Sequence, residues 1–393
     1  MSTAEHEDAD RRPIAKGWCP GAYRPMRSGD GLIVRVRPRL GRLTLAQALG
    51  LCEAARRFGS GIIELTNRAN LQLRGVRESQ HLKLVAALAE LGLLDDDPSL
   101  EQRRNIVVPP LWRPGDDTER LANELAARLG ELPPLPAKFG FAVDAGPAPV
   151  LVFTSADVRI ERGRGGGLIV RADGARDGVS VDPSTAIDVV IALASWFATT
   201  GGGTRMKAHL AQHALPAALA PTTAPAPQAA LPLPGPTLLG PAYYVAFGQM
   251  AAVSLEQLLQ DCAADALRVA PRRAIILENA SWAASSEFIT AHDDPLLNVD
   301  ACPGAPACAS ATVETRLLAR GLAPLLAGTA RLGGPRTLHI SGCAKGCARA
   351  QAADLTLVGR DGSFDIVRVG TAWDRPSCMG VAPRALASII GTD

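Results

Sequence analysis

The chain is written twice, and that constrains its fold more than any other feature. Before residue 208 the segment GLIVRVRPRLGRLTLAQALGLCEAARRF reads as a strand, a short loop and a helix. After residue 236 the segment PAYYVAFGQMAAVSLEQLLQDCAADALR repeats that order. In the helices, Leu45, Gln47, Leu49 and Cys52 align with Leu255, Gln257, Leu259 and Cys262 at an offset of 210, and each helix is followed by a β-branched run, GIIELTN (61–67) and AIILEN (274–279). A second pair sets SADVRIERGRGGGLIVRADG (155–174) against AADLTLVGRDGSFDIVRVG (352–370). Asp157 falls on Asp354, and Ile169-Val170-Arg171 on Ile366-Val367-Arg368, at an offset of 197. Two pairs in one order at nearly one spacing predict an A–B–linker–A′–B′ chain with strands and helices mixed in every unit. The expected bounds are 12–98 (A), 99–207 (B), 208–236 (linker), 237–295 (A′) and 296–393 (B′). The linker is an Ala/Pro-rich run that cannot form a packed core, so it reads as a surface crossing.

Composition narrows the function. A formal charge of +2 gives no global attraction to nucleic acid or to an anionic membrane. No uncharged apolar run is long enough to span a bilayer, and the opening MSTAEHEDADRR is acidic, unlike a secretory signal. A cytoplasmic location is expected, where the eight cysteines read as thiols or metal ligands rather than disulfides.

The duplication also sorts the cysteines. Cys52 and Cys262 occur in both copies on apolar helix faces and read as buried structural thiols. Cys302, Cys308, Cys343 and Cys347 occur in B′ alone; the matching stretch of B, LPAKFGFAVDAG (135–146), has none. Two Gly/Pro-rich loops carry them, suited to tight turns that aim thiolates and amides inward. A zinc site fits the five-residue gap between Cys302 and Cys308 poorly, and inert thiols are a third reading. A [4Fe–4S] cluster takes four Cys ligands on wider loops and suits them best.

This C-x5-C…G-C-x3-C-A arrangement, together with the doubled architecture, resembles the sirohaem- and [4Fe–4S]-containing nitrite/sulfite reductase superfamily. The resemblance runs from about Pro13 to Ile390. It implies an α+β, pseudo-two-fold fold: ferredoxin-like half-domains plus mixed α/β domains that bind a cluster and a macrocycle. Within it, GWCPGAYRPMRSGDGLIVRVRP and ELTNRANLQLRG resemble most the precorrin-3B synthases of cobalamin biosynthesis. That family implies a monooxygenase that hydroxylates precorrin-3A at C20 with O2 and closes a γ-lactone. A [4Fe–4S] cluster, a mononuclear non-haem iron and an electron-donating reductase are implied with it. The ligands of the iron are not evident. No dinucleotide-binding glycine pattern follows a strand, so NADH or another reductant acts indirectly.

The resemblance also supplies carboxylate-binding residues: Arg35 and Arg37 in LIVRVRP, Arg68 in TNRANLQ, Arg104 in RRNIVVPP and Lys138 in LPAKFGF. Arg103 could replace Arg104 by a one-residue slip. Where the reductases carry a second lysine this chain has Gly140, a departure that bears on sirohaem. At the aligned positions copy A′ is neutral or apolar: Val245, Phe247 and Asn279-Ala280-Ser281. Arginines confined to one copy point to a polyanionic ligand, since each charge-assisted hydrogen bond to a carboxylate contributes about 1.5–3 kcal/mol. A sirohaem-dependent nitrite or sulfite reductase, and a non-catalytic iron–sulfur redox sensor, are the rival readings. His209 and His213 adjoin the linker and read as solvated; His339 reads as a satisfied core histidine. Cys19 and Cys378 are undecided.

Overall fold

The computed structural model describes residues 19–330 and 336–391. The expected start of copy A (residues 12–18) lies outside them, as does part of the GWCPGAY opening. The chain divides into a larger unit, residues 19–26 and 33–288, and a smaller one, residues 27–32 and 289–391. The larger holds copy B and most of copies A and A′; the smaller holds B′ with residues 27–32 of A and 289–295 of A′.

Copy A contains β1 (Gly31–Val36), β2 (Arg42–Thr44), α1 (Leu45–Phe58), β3 (Ile62–Leu65), β4 (Leu71–Val76) and α2 (His81–Glu90). The sequence TLAQ starts α1 with a capping box: the Thr44 hydroxyl accepts the Gln47 amide, and the Gln47 side chain accepts the Thr44 amide. Copy B contains β5 (Ile106–Val107), α3 (Asp117–Ala127), β6 (Phe141–Asp144), β7 (Val158–Arg162), β8 (Leu168–Ala172), β9 (Val179–Val181) and α4 (Ala186–Thr199). Helices α3 and α4 bury Leu121, Leu125, Val190, Leu193 and Phe197 against Phe141, Val143, Ile160 and Val170 of the sheet, which is the core of this copy.

Copy A′ follows with β10 (Pro241–Tyr244), β11 (Gln249–Ala251), α5 (Ala252–Asp261), β12 (Ala266–Ala270) and β13 (Ala274–Glu278). Copies A and A′ exchange a strand. Leu43 of β2 pairs with Leu267 of β12, and Met250 of β11 pairs with Ile63 of β3, so each short strand completes the other copy's sheet. Copy B′ has β14 (Val299–Ala301), α6 (Arg316–Ala330), β15 (Leu338–Ser341), β16 (Ala353–Arg360), β17 (Ser363–Gly370) and β18 (Cys378–Val381). B and B′ have the same sheet: three parallel strands, then two antiparallel ones. Phe141 faces Val158, and Leu338 faces Leu355, both at the offset of 197.

Three details of the repeat are corrected by the structure. The turns before α1 and α5 match at an offset of 207, with Leu40 and Phe247 both in the left-handed region (φ 53° and 57°). The buried positions Ala48, Leu51, Cys52 and Ala55 then fall on Leu255, Leu258, Leu259 and Cys262, so the 210 alignment is nearly one helical turn out. AIILEN forms β13, the second strand after α5, whereas GIIELTN forms β3, the first after α1. In the β7–β8 hairpin Ile160 faces Val170, but in β16–β17 Leu357 faces Ile366, one residue off the 197 offset, because a longer turn closes the first hairpin.

The Ala/Pro-rich segment is strapped along copy B. Thr223 and Pro225 bridge to Gly178 and Gly163, the Ala229 amide donates to the Pro149 carbonyl, and Leu219 packs into the copy B core.

Candidate functional site

The arginines that the sequence groups together fall into two sets. Arg37 is 2% exposed; its guanidinium pairs with Glu101 at 2.5 Å and donates to Asn105 Oδ1 and the Pro20 carbonyl. Arg104 is buried too, bonded to Asp95 Oδ2 at 2.6 Å and to the Arg37 carbonyl at 2.5 Å. Both hold internal carboxylates, so the structure corrects the expectation that they offer themselves to a ligand. The one-residue slip does not restore that role, because Arg103 donates to the Leu132 carbonyl.

Arg35, Arg68 and Lys138 form no ion pair with a described residue. Arg35 reaches Gln72 Oε1 at 3.4 Å and lies against the Cys19 thiol; its Nε is buried without a hydrogen-bond partner. Burial pulls its guanidinium below the ordinary value. Arg68 donates from Nη2 to the Lys138 carbonyl at 2.9 Å and to Ser155 Oγ at 3.0 Å. Burial first, and then repulsion from Arg205, draws its guanidinium down as well. The Lys138 side chain is half-buried and makes no ion pair with a described residue. A buried orphan donor and half-buried cations are what an incoming carboxylate would satisfy. Gly140 explains the missing second lysine: a Cβ there would stand 3.2 Å from Arg68 Nη1 and 3.2 Å from the Asn105 carbonyl. The place of that side chain is taken by Arg68 itself.

Arg205 was not singled out in the sequence, where it borders the linker. It follows Gly201, Gly202 and Gly203, all at positive φ, which turn the chain back after α4. Its Nε pairs with the fully buried Asp157 at 2.9 Å and its Nη2 donates to Ser155 Oγ at 2.9 Å. The run of glycines before a lone arginine was the available signal. The contrast between A and A′ is also weaker than the sequence suggests. The loop matching Arg68 lies between β12 and β13 and contains Arg272 and Arg273, not Asn279-Ala280-Ser281.

In the smaller unit, two loops carry the four cysteines. The Cys302 sulfur accepts the Gly342 amide at 3.1 Å, and its carbonyl accepts the Thr315 hydroxyl at 2.5 Å. Gly304 sits at φ 66°, and a Cβ there would meet Thr315 Oγ1 at 2.6 Å. A Cβ on Gly342 would stand 2.6 Å from the Ala311 methyl, so only glycine lets the loops approach. The segment before β1 pins the first loop: Ser28 Oγ and the Gly29 amide both donate to the Ala307 carbonyl. Burial pushes the Cys302 thiol up, opposed by the Gly342 and Gly304 amides, with Cys308 and Cys343 adding repulsion. Cys347 reaches the surface, yet burial and then Cys302, Cys343 and Cys308 push its thiol up to about 11. Cys302 and Cys347 thus each lie within electrostatic reach of the cysteines named with them. Among the described residues no three His, Cys, Asp or Glu side chains stand at the spacing of one ion's ligands. In an iron–sulfur cube each thiolate holds a different iron, so four cysteines on two adjoining loops, with glycine amides on Cys302, fit that group.

The histidines differ from expectation. His209 is buried, bonded to Thr200 at 2.7 Å and stacked on His213 at 4.2 Å. His339 is fully buried with neither ring nitrogen hydrogen-bonded, and burial pushes it down to about 4. Cys52 and Cys262 are both fully buried, although at non-equivalent positions, and Cys378 is exposed on β18.

Comparison with known proteins gives the fold and the family. Residues 24–91 match the nitrite/sulfite reductase ferredoxin-like half domain. The solved structure of the Mycobacterium tuberculosis NirA protein superimposes with a TM-score of 0.65 over 92% of this chain and 79% of that one, at 18% identity, which shows the same α+β fold. A precorrin-3B synthase from Sinorhizobium sp is 35% identical over 404 aligned residues, spanning 93% of this chain and 85% of the relative. The chain belongs to the precorrin-3B synthase family.

Proposed function

We propose that this chain hydroxylates precorrin-3A at C20, taking one oxygen atom from O2 while the other leaves as water at the expense of two electrons from a reductase. Family membership carries the synthase reading. The presence in one chain of basic side chains without ion-pair partners and of a four-cysteine loop pair supports the finer chemistry. Cys302, Cys308, Cys343 and Cys347 would hold a [4Fe–4S] cluster, which supplies electrons one at a time. The Gly342 and Gly304 amides stabilise negative charge on Cys302. Arg35, Arg68 and Lys138 would bind the carboxylates rimming the tetrapyrrole and fix its orientation. A fixed ring needs no further catalyst to bring an acetate arm onto the neighbouring carbon for lactone closure. The described residues do not form a facial triad for a mononuclear iron: His209 stacks on His213, His81 contacts the Ala22 carbonyl, and His339 is enclosed. No step is assigned to that metal.

The sirohaem reductase reading is the less favoured one, since Gly140 leaves no room for the second lysine without displacing Arg68. Turnover of precorrin-3A under isotopically labelled O2, with reductant, tests the proposal. Label in the product hydroxyl is expected; label arriving from water, or reduction of nitrite or sulfite in place of hydroxylation, would overturn it.

A further inference from the structure

We infer that Arg68, Ser155 and Arg205 form a three-point grip on a single carboxylate of the tetrapyrrole, with Arg205 a binding residue that the family resemblance did not indicate. The inference rests on the reading of the cradle as the tetrapyrrole site.

Ser155 Oγ accepts from two guanidiniums at once, Arg68 Nη2 at 3.0 Å and Arg205 Nη2 at 2.9 Å. Its lone pairs are therefore engaged, and its own O–H remains available as a donor. The two arginines are held side by side by one neutral oxygen. Arg205 has a carboxylate partner in Asp157, and Arg68 has none. The pair thus carries an uncompensated positive charge, and neighbouring guanidiniums repel unless an anion sits against both.

The arrangement is built rather than incidental. Asp157 is fully buried and accepts the Gly140 amide at 3.0 Å, the Met206 amide at 2.9 Å and Arg205 Nε at 2.9 Å. One carboxylate therefore ties together the Gly140 turn beneath Arg68 and the start of the helix that follows Arg205. Gly140 lies against the Arg68 guanidinium. The unengaged N–H groups of Arg68 and Arg205, with the Ser155 O–H, offer three donors to a planar two-oxygen acceptor. A sulfate or phosphate would meet the same charges, but a rigid ring that also engages Arg35 and Lys138 places a carboxylate there.

The test is binding of a uroporphyrin, which bears a carboxylate on every side chain, to the full chain, followed by fluorescence quenching. Arg205→Gln is expected to weaken binding about tenfold, and Ser155→Ala about threefold. Because Arg205 also pairs with Asp157, Arg205→Lys keeps a charge on that acid, yet its single nitrogen cannot reach Ser155 as well; it should bind as poorly as Arg205→Gln. Arg68→Gln combined with Arg205→Gln should be little worse than either alone, since both act on one group. Unchanged affinity in Arg205→Gln and Ser155→Ala, or full additivity in the double variant, would overturn the grip. If Arg35→Gln and Lys138→Gln still lose affinity in that case, the cradle reading survives without it. If none of these variants weakens binding, the cradle reading itself falls.

Discussion

Copies B and B′ have sheets of the same strand order with the same register in their parallel strands, and they part where the second parallel strand ends. In B the last residue of β6, Asp144, turns its carboxylate onto the Val150 and Leu151 amides at 2.7 Å each and closes the loop on itself. In B′ the same place is Ser341, whose hydroxyl donates to the Cys343 carbonyl at 2.7 Å, and the loop that follows carries Cys343 and Cys347. An identical strand end is thus closed by a protein carboxylate in one copy and left to shape a thiolate loop in the other. A duplicated scaffold can keep its sheet while only one copy acquires the chemistry.

The largest effect should come from the loop that differs. Cys343→Ala removes one of four ligands, and iron content measured on anaerobically purified protein should fall to near background, with loss of the iron–sulfur absorbance. Synthase turnover should drop at least about 100-fold, the size of effect expected when a group acting only in the reaction is removed. Cys378→Ala, on an exposed strand of the same copy, should change neither. Retained iron in Cys343→Ala would show that B′ does not differ from B in the way argued.

Next comes what the copies have in common. Asp157 and Asp354 both hold the residue that begins the neighbouring parallel strand: Gly140 before β6 and Thr337 before β15. Asp157 is fully buried and also holds Met206 and Arg205, whereas Asp354 is half-buried and serves only its own loop. Asp157→Ala should therefore cost about 4 kcal/mol, and Asp354→Ala about 1–2 kcal/mol. Urea unfolding reads both; equal costs would mean that Asp157 has no role beyond the one it shares.

A third difference is in pH. Burial lifts the Asp144 carboxyl to about 6, with Glu161 repulsion added and the two amides opposing; in the unfolded chain it titrates near about 4. Between those values the folded chain holds more protons than the unfolded one, so stability at this site falls as pH rises. The full change is about 3 kcal/mol. Asp144→Asn keeps an oxygen for the amides and loses the titration. Its stability relative to the parent should rise by that amount from pH 4 to pH 7, and a constant difference would contradict the assignment. Ser341 gives B′ no such term.

The duplication, and the placing of four cysteines on two loops of one copy, were legible because they depend on order and residue type alone. The helix register was not: shifting an apolar stripe by three residues keeps it on much the same helix face, so Cys52 could be laid on Cys262 when the structure lays it on Leu259. The exchange of GIIELTN and AIILEN has a similar cause, since both strands of a buried hairpin are β-branched and read alike. The fate of the arginines was hidden for another reason. Arg37 differs from Arg35 through Glu101, an acid 64 residues away that no local pattern associates with it. Arg205 was missed because its partners Ser155 and Asp157 are about 50 residues distant, and the glycines before it read as the edge of a linker.

The smallest expected effect exchanges one residue between the copies. Gly140 and Thr337 occupy equivalent positions, each donating its amide to the shared aspartate. The Thr337 hydroxyl also bonds Asp354, and among the described residues no arginine side chain is hydrogen-bonded to Thr337. Gly140 has no side chain because Arg68 fills that space, with Nη1 3.2 Å from where a Cβ would stand. Gly140→Thr places a branched side chain against the end of a flexible arginine and against the Asn105 carbonyl. The guanidinium yields at a cost of about 1 kcal/mol. Folding should be little affected, while uroporphyrin binding weakens by about threefold, because displacing Arg68 by a few tenths of an ångström lengthens a charge-assisted hydrogen bond without abolishing it. Affinity equal to the parent's would mean that Arg68 is free to move where it stands, and that this glycine marks a packing difference between the copies rather than a functional one.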